Sequence, residues 1–579
     1  MTPFLIIVAY LVLLLLLGQL SRRFFRGTSK DYFIASNTIG PFFLLMSVFG
    51  TTMTGFALVG STGKAFERGI GTYGLMASSS GLIHAAIFFL IGIRLWGYGK
   101  RHGYVTQIQF FRDRFESNAI GYVLFPILVG LVVPYLLIGV LAAGKFVLPV
   151  TAGAFPGVFP NEATPQWAGG IPAWLTGLVV SVVVLTYVFS GGSRGTIWAN
   201  TFQTLVFMAM GVLAFVVLSS TLGGPQNATK IGMQINAEGQ AIQTHGIDRA
   251  THKLIEYEKP RVLGRVTKPL TEEQKAKIAK DGNLRPHQTR TPIEVEFDQR
   301  NPKTKEKVGT FHREFGIPWL MFLTYMFIPL SVGMFPHLFQ NWLTAKSART
   351  FRLTVVAHPV FIMVVWAPCV LLGMWASGFL PALTPDKINS TLGIVIGQMT
   401  GNKIIFGMVA AGVLAAIMSS LDSQFLCLGT IFTNDIVLHR AKGKKTYTDR
   451  QILLMARGFI VAIVVLTYVL AMLAAAAGAN VFDLAVWSFS GFSALFPVVF
   501  ASLYWKRTTA TGAIASIFAA MAVWLWLFRA SGWGGEYLVG PGIMPAALAF
   551  GAGAATLVLV SLVTPPPSEK TIAKFFPKG

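Results

Sequence analysis

The centre of the stretch AGVLAAIMSSLDSQFLCLGTIFTND, residues 411–435, carries side-chain oxygen ligands in a largely apolar run: Ser419, Ser420, Asp422 and Ser423. Ser419, Asp422 and Ser423 are spaced i, i+3, i+4, so a helix sets them on one face. Hydroxyl and carboxylate oxygens are what a hard cation such as sodium accepts. The stretch also suits a bilayer crossing, which takes ~20 mostly apolar residues. A carboxylate near the midplane is costly unless it faces a cavity, a partner or an ion. The serines have a second reading, in which they let helices pack closely and bond the carbonyl a turn back.

A membrane must hold the elements that position these groups. The 579 residues are 53% hydrophobic and only 12% charged, with a mean hydropathy of +0.60. A soluble domain carries about 25% charged residues. Apolar windows fall near 3–20, 40–63, 71–97, 119–143, 171–190, 196–222, 316–341, 354–377, 403–432, 452–475, 481–504, 510–529 and 541–563. The expectation is an all-α polytopic protein of about 13 transmembrane helices, partnered by the lipid bilayer. The net charge of +23 sits in loops between these windows, a pattern of membrane topology rather than of nucleic-acid binding.

Basic residues recur at alternate connections: Arg22 and Arg23, Lys100 and Arg101, Arg194, Lys346 with Arg349, Arg440 with Lys442, and Lys506 with Arg507. The positive-inside rule makes those connections cytoplasmic. The chain is then a multi-pass protein of the plasma (inner) membrane, with its N-terminus outside and its C-terminus cytoplasmic. The first apolar run has no basic segment before it and no small-residue cleavage site after it, so it reads as a retained helix. Cys369 and Cys427 both fall inside apolar spans and predict no disulfide framework.

Residues 223–315 break the rhythm as a polar loop, placed outside by the helix count. TEEQKAKIAK reads as a short helix, and TPIEVEF with KVGTFHREF as a hairpin. The expectation is a small, loosely packed extramembrane subdomain. Two membrane spans are also irregular. The second gathers Gly50, Thr51, Thr52, Thr54 and Gly55 at its middle, and the seventh carries Pro329, Gly333 and Pro336. Proline removes a ladder donor, and a helix broken at membrane depth is tolerated only where the freed backbone lines a cavity or ion site. Two interrupted helices in corresponding positions point to a transporter's binding site.

These residues resemble the sodium:solute symporter family. AAIMSSLDSQFLCLGTIFTNDI is similar to its sodium-site helix and SGGSRGTIWANTFQ to its turn into the sixth span. FPHLFQNWLTAKS is similar to the end of the seventh span and LFPVVFASLYWKRTTATGA to the eleventh. The resemblance implies a LeuT-type 5+5 inverted repeat, with units at 31–222 and 316–507. An N-terminal extra helix lies at 1–30, the loop insertion at 223–315, and the C-terminal helices and tail at 508–579. It implies a main sodium site built from Gly50, Met53, Ala416, Ser419 and Ser420. A second ion site in some members uses an aspartate aligned here with Asn200 and hydroxyls aligned with Asp422 and Ser423. The carboxylate has thus moved across the site, where it holds a second cation or, alternatively, a proton.

Substrate contacts are expected at Thr52, Thr54, Phe56, Ser331, Val332, Gly333 and Pro336. The glutamate-glutamine pair of sugar-carrying members falls at Phe56 and Ala57, which argues against a sugar. The Pro-His of FPHLFQ looks more like members that carry proline, acetate and related acids, although the aromatic of proline carriers is Val332 here. His337 reads as a structural histidine at a helix end. The implied function is sodium-driven import of a small polar organic solute, such as an amino acid or monocarboxylate, by alternating access. The alternative is a symporter-like sensor without net transport. No metal-binding His pair or nucleotide loop suggests an enzyme.

Overall fold

The computed structural model describes residues 1–160, 167–248, 250–289, 291–300, 306–380 and 382–577. Among these residues ten helices are long and apolar enough to cross a membrane, and two bent pairs make further candidate spans. One of the ten, Ala173–Thr221, runs for 49 residues, about 73 Å at the helical rise and more than twice a bilayer core. It breaks at Gly192, where φ is 52° and ψ is −142°. A Cβ there would meet Tyr32 Cδ2 at 2.5 Å, so both the conformation and the close approach call for glycine. Counted as two crossings, this helix brings the spans to the thirteen read from the sequence.

The break is pinned from outside the membrane helices. Arg194 donates from Nε and Nη2 to both carboxylate oxygens of Asp31 at 2.8–3.0 Å, on the short helix Ser29–Ile34. Burial alone would raise the Asp31 carboxyl, but Arg194 and the Arg26 backbone N–H hold it below its ordinary range.

The second span is two helices, Pro41–Thr52 and Phe56–Arg68, bent by 54°. The first ends as Met53 turns to φ −88° and ψ 100°. Thr54 Oγ1 accepts the Phe56 N–H at 3.0 Å and restarts the helix as a cap. The threonine-rich composition of this span therefore has a local task. The seventh span bends by 48° between Trp319–Gly333 and Pro336–Leu343. Pro336 has no N–H to continue the ladder, and Phe335 before it is extended at ψ 115°.

The ninth span, Lys403–Ile431, is opened by Asn402, whose side chain accepts from Ile404 and Ile405 N–H. From Val409 to Ile431 every residue is buried. It is the axis around which the other spans pack, with extensive contacts to Ala173–Thr221, to the first span and to Asn118–Val150.

The membrane-spanning part is all-α, as expected, and the long loop adds a sheet to it. Five strands form one antiparallel meander in chain order: β1 Gln234–Ile235, β2 Gln240–Ile247, β3 Leu254–Val266, β4 Ile293–Arg300 and β5 Lys307–Phe315. The expected hairpin is β4 with β5, in register from Ile293 opposite Phe315. The expected helix is Glu272–Asp281, opened by a Thr271–Gln274 capping box. Nor is this unit loosely packed. It has its own core, including Ile235, Val295, Phe297 and Phe315.

It is also docked on the membrane helices. Arg68 pairs with Glu314 at 2.6 Å, Gly316 N–H donates to Arg68 O, and Ile70 N–H donates to His287 O. Burial of His287 beneath these contacts pushes its imidazole down to about 3. The first span begins on the sheet-bearing side, where Pro3 lies against Gly407 and His252 bonds Gln398 O. The C-terminal helix Glu569–Phe575 lies on the opposite side, with Lys574 paired to Asp113.

Candidate functional site

The break in the second span meets the middle of the ninth. Ser419 Oγ donates to Gly50 O at 2.8 Å and to Ala416 O at 2.9 Å. Three oxygens from two helices therefore converge on one point, as a small cation requires. Gly50 also lets the sixth span pack close, because a Cβ there would meet Thr204 Oγ1 at 2.6 Å. Met53 lies at the break, fully buried, with its N–H bonded back to Phe49 O. Ser420 Oγ donates to Ile417 O in its own helix at 3.0 Å. Gly50, Ala416 and Ser419 are thus joined by hydrogen bonds, whereas Met53 and Ser420 make only local ones.

A second group lies one turn further along. Asp422 Oδ2 accepts from Tyr187 OH and Oδ1 from Ser423 Oγ, each at 3.0 Å. The Asp422 carboxylate and the Ser419 carbonyl can only accept, so they orient the Asn200 amide. Its Nδ2 donates to Asp422 Oδ2 at 2.9 Å and to Ser419 O at 3.0 Å, while Oδ1 lies 3.1 Å from the Ser423 hydroxyl oxygen. Thr51 Oγ1 lies 2.9 Å from Ser423 Oγ and accepts from Asn341 Nδ2. Asn200, Asp422 and Ser423 are together, as the sequence predicts, and Ser419 links them to the first group. Among the described residues no cationic side chain is within ion-pair distance of Asp422. Its donors are neutral: a phenol, a hydroxyl and an amide. Tyr187 and Thr51 also belong to this network; Thr51 lies in the cluster that marks the second break, whereas Tyr187 had no signal in the sequence beyond its polarity.

Between the two breaks lies a narrow cavity lined by Thr52, Phe56, Ser331 and Val332 from the broken spans. These are four of the seven expected substrate contacts. Thr54, Gly333 and Pro336 are buried but do not line it. The remaining wall comes largely from residues that the sequence did not mark: Ser80, His84, Tyr135, Trp366 and Phe489 among them. Rings close it tightly, Tyr135 to Phe489 at 4.8 Å and Phe56 to Phe489 at 5.3 Å between centroids. His337 packs between Tyr135 and Phe335 and does not line the cavity, in keeping with a structural role.

A family model for the sodium:solute symporter family matches residues 166–519 of this chain. Over 99% of this chain and 96% of the relative, it is 23% identical to the sodium/proline symporter of Escherichia coli (strain K12). It is 22% identical to the osmoregulated proline transporter OpuE of Bacillus subtilis (strain 168), over 98% and 96%. The solved structure of a Na+-coupled sialic acid symporter, substrate-bound and outward-open, superposes with a TM-score of 0.66 at 14% identity. That match covers 98% of this chain and 99% of the other. The fold is the LeuT-type symporter fold expected from the sequence.

Proposed function

This chain belongs to the sodium:solute symporter family, and from that premise we propose how its own residues carry sodium and a small organic solute across the membrane together. Members of this family are transporters, not enzymes, and sodium is the coupling ion. The observation that carries the assignment to particular residues is the Ser419 hydroxyl held between Gly50 O and Ala416 O at a helix break. In the sodium-bound state the hydroxyl turns its lone pairs to the ion, and the two carbonyls it had bonded become ligands beside it. Met53 O and Ser420 Oγ complete the main site. Asn200, Asp422 and Ser423 form a second ion site, where a cation offsets the Asp422 charge.

The solute occupies the cavity beside Thr52, Phe56, Ser331 and Val332, within reach of both breaks. Rocking of the units at 31–222 and 316–507 about these hinges gives alternating access. The helix at 1–30, the sheet-bearing insertion at 223–315 and the segment at 508–579 flank them. The protein lies in the plasma membrane with the sheet and N-terminus outside and the C-terminus in the cytoplasm. That orientation is supported by the basic connections and by the opposite placement of the sheet and the C-terminal helix.

The test uses purified protein in proteoliposomes, with solute uptake measured under an inward sodium gradient and an equal potassium gradient. Uptake that needs sodium, and that Ser419→Ala shifts to higher sodium, supports the reading. Equal uptake in both gradients overturns it.

A further inference from the structure

Two buried histidines from separate spans meet at the solute cavity. His84 Nδ1 lies 3.2 Å from His358 Nε2. His84 lines the cavity, whereas His358 lies behind it, against Phe49 and Phe88. One of the two facing nitrogens must donate. The other nitrogen of His358, Nδ1, is buried without a partner among the described residues. An uncharged imidazole has one N–H and one lone pair, and an orphaned buried N–H is the rarer and less tolerated arrangement. The proton therefore belongs on His358 Nε2, which donates to His84 Nδ1. His84 must then hold its own proton on Nε2, at the ring edge away from His358. The pair fixes His84 as a donor.

Other unmet groups on the same wall can also donate. The Trp366 indole N–H and the Tyr325 hydroxyl are buried without partners among the described residues, and both residues line the cavity. An indole N–H can only donate. Nearby backbone acceptors are already used. Phe49 O takes the Met53 N–H and the Thr52 hydroxyl, and Ser331 O takes the Met334 and Phe335 N–H groups. The described lining contains no Asp, Glu, Lys or Arg. The cavity offers unmatched donors, aromatic walls and no counter-charge for an ammonium group.

We propose that this cavity selects a small monocarboxylate over an amino acid. His84 Nε2–H, Trp366 Nε1–H and the Tyr325 hydroxyl bond its carboxylate oxygens, and His358 positions His84 by fixing its tautomer. The apolar body packs among Phe56, Tyr135, Phe335 and Phe489. Sodium bound at the helix break supplies the positive charge that the wall lacks. This inference rests on the carrier reading above and names its solute class.

Thermal unfolding of the purified full-length protein tests it, first with sodium against potassium, then in sodium with pyruvate, propionate, propionamide or L-proline. Sodium alone should raise the midpoint. Pyruvate and propionate should raise it further, and propionamide and proline should not. His84→Leu and Trp366→Phe should each weaken pyruvate binding roughly tenfold or more while keeping the sodium shift. His84→Gln, which restores an N–H, should recover most of the loss. His358→Phe should weaken pyruvate binding and His358→Gln, which can still donate to His84 Nδ1, should recover it; packing alone predicts the reverse. If His84→Leu does not fold, Trp366→Phe and the His358 pair decide. A shift with proline and none with either monocarboxylate overturns the proposal, as does unchanged pyruvate affinity in the variants, and the symporter reading stands in both cases. A wild-type protein indifferent to sodium overturns the symporter reading itself.

Discussion

Asn200 and Asp422 meet amide to carboxylate, Nδ2 to Oδ2 at 2.9 Å, across the contact between the sixth and ninth spans. The sixth span supplies the amide of this contact and the ninth span the carboxylate. A fully buried carboxylate served only by neutral donors is costly at membrane depth, so an ion should accompany it. Asp422→Asn is expected to cut sodium-driven uptake roughly tenfold or more, and Asn200→Asp with Asp422→Ser to recover part of it. Initial rates across a sodium series check this. A proton on Asp422 would show instead as a dependence on external pH that Asp422→Asn abolishes with sodium stoichiometry unchanged.

The two serines of the main site should not be equal. Ser419 Oγ already spans Gly50 O and Ala416 O, whereas Ser420 Oγ is spent on Ile417 O within its own helix. Ser419→Ala should raise the sodium concentration for half-maximal uptake about tenfold, and Ser420→Ala by a smaller factor, on the order of threefold. Expression should hardly change, since neither substitution alters volume much. Equal effects would mean that Ser420 Oγ holds the ion as strongly as Ser419 Oγ does.

The parts of the site that lie on one helix, or at a helix break, were legible in the sequence. Ser419, Asp422 and Ser423 share a face because helical spacing dictates it, and the breaks were announced by threonine, glycine and proline. The rest depends on contacts between distant segments. His84 and His358 are 274 positions apart, and each reads alone as a polar residue in an apolar helix. Trp366 and Phe489 have the composition of core residues, so nothing local distinguishes a cavity wall from packing. The sheet was half legible for a related reason. In β4 and β5 the hairpin is written in short alternating runs, but β3 is exposed along most of its length and lacks alternation, while β1 spans only Gln234–Ile235.

Orientation in the membrane follows from labelling at two loop positions. Asp281 ends the helix of the insertion on the sheet-bearing side, and Gly443 lies in the basic connection after the ninth span. The native thiols Cys369 and Cys427 are buried and should give little background. Asp281→Cys should react with an impermeant maleimide added to intact cells, and Gly443→Cys only after permeabilisation. The opposite pattern would invert the topology.

The last prediction concerns the charged cluster that ties the sheet to the outer half of the second span. Lys64 Nζ lies 2.8 Å from Glu536 and 3.0 Å from Glu67, and Arg68 bridges Glu536 at 2.8 Å and Glu314 at 2.6 Å. Glu536 forms an ion pair with both cations. Burial works against its charge, but Lys64 and Arg68 together hold it down to about 2, from an ordinary 4.5. A depressed carboxylate contributes its stability in full above 4.5 and loses it as pH falls toward 2. Glu536→Gln leaves Lys64 and Arg68 with their other partners, so the expected loss at pH 7 is about 1–2 kcal/mol rather than the larger cost of isolating a buried charge. The gap between wild type and variant should close progressively as pH falls below 4.5, because the wild-type carboxyl then becomes neutral as well. Melting curves of the two proteins at matched sodium and stepped pH measure that gap. A gap that stays open into strong acid would mean that Glu536 acts through packing rather than charge, and that the sheet is held to the second span chiefly by its backbone bonds at Arg68 and His287.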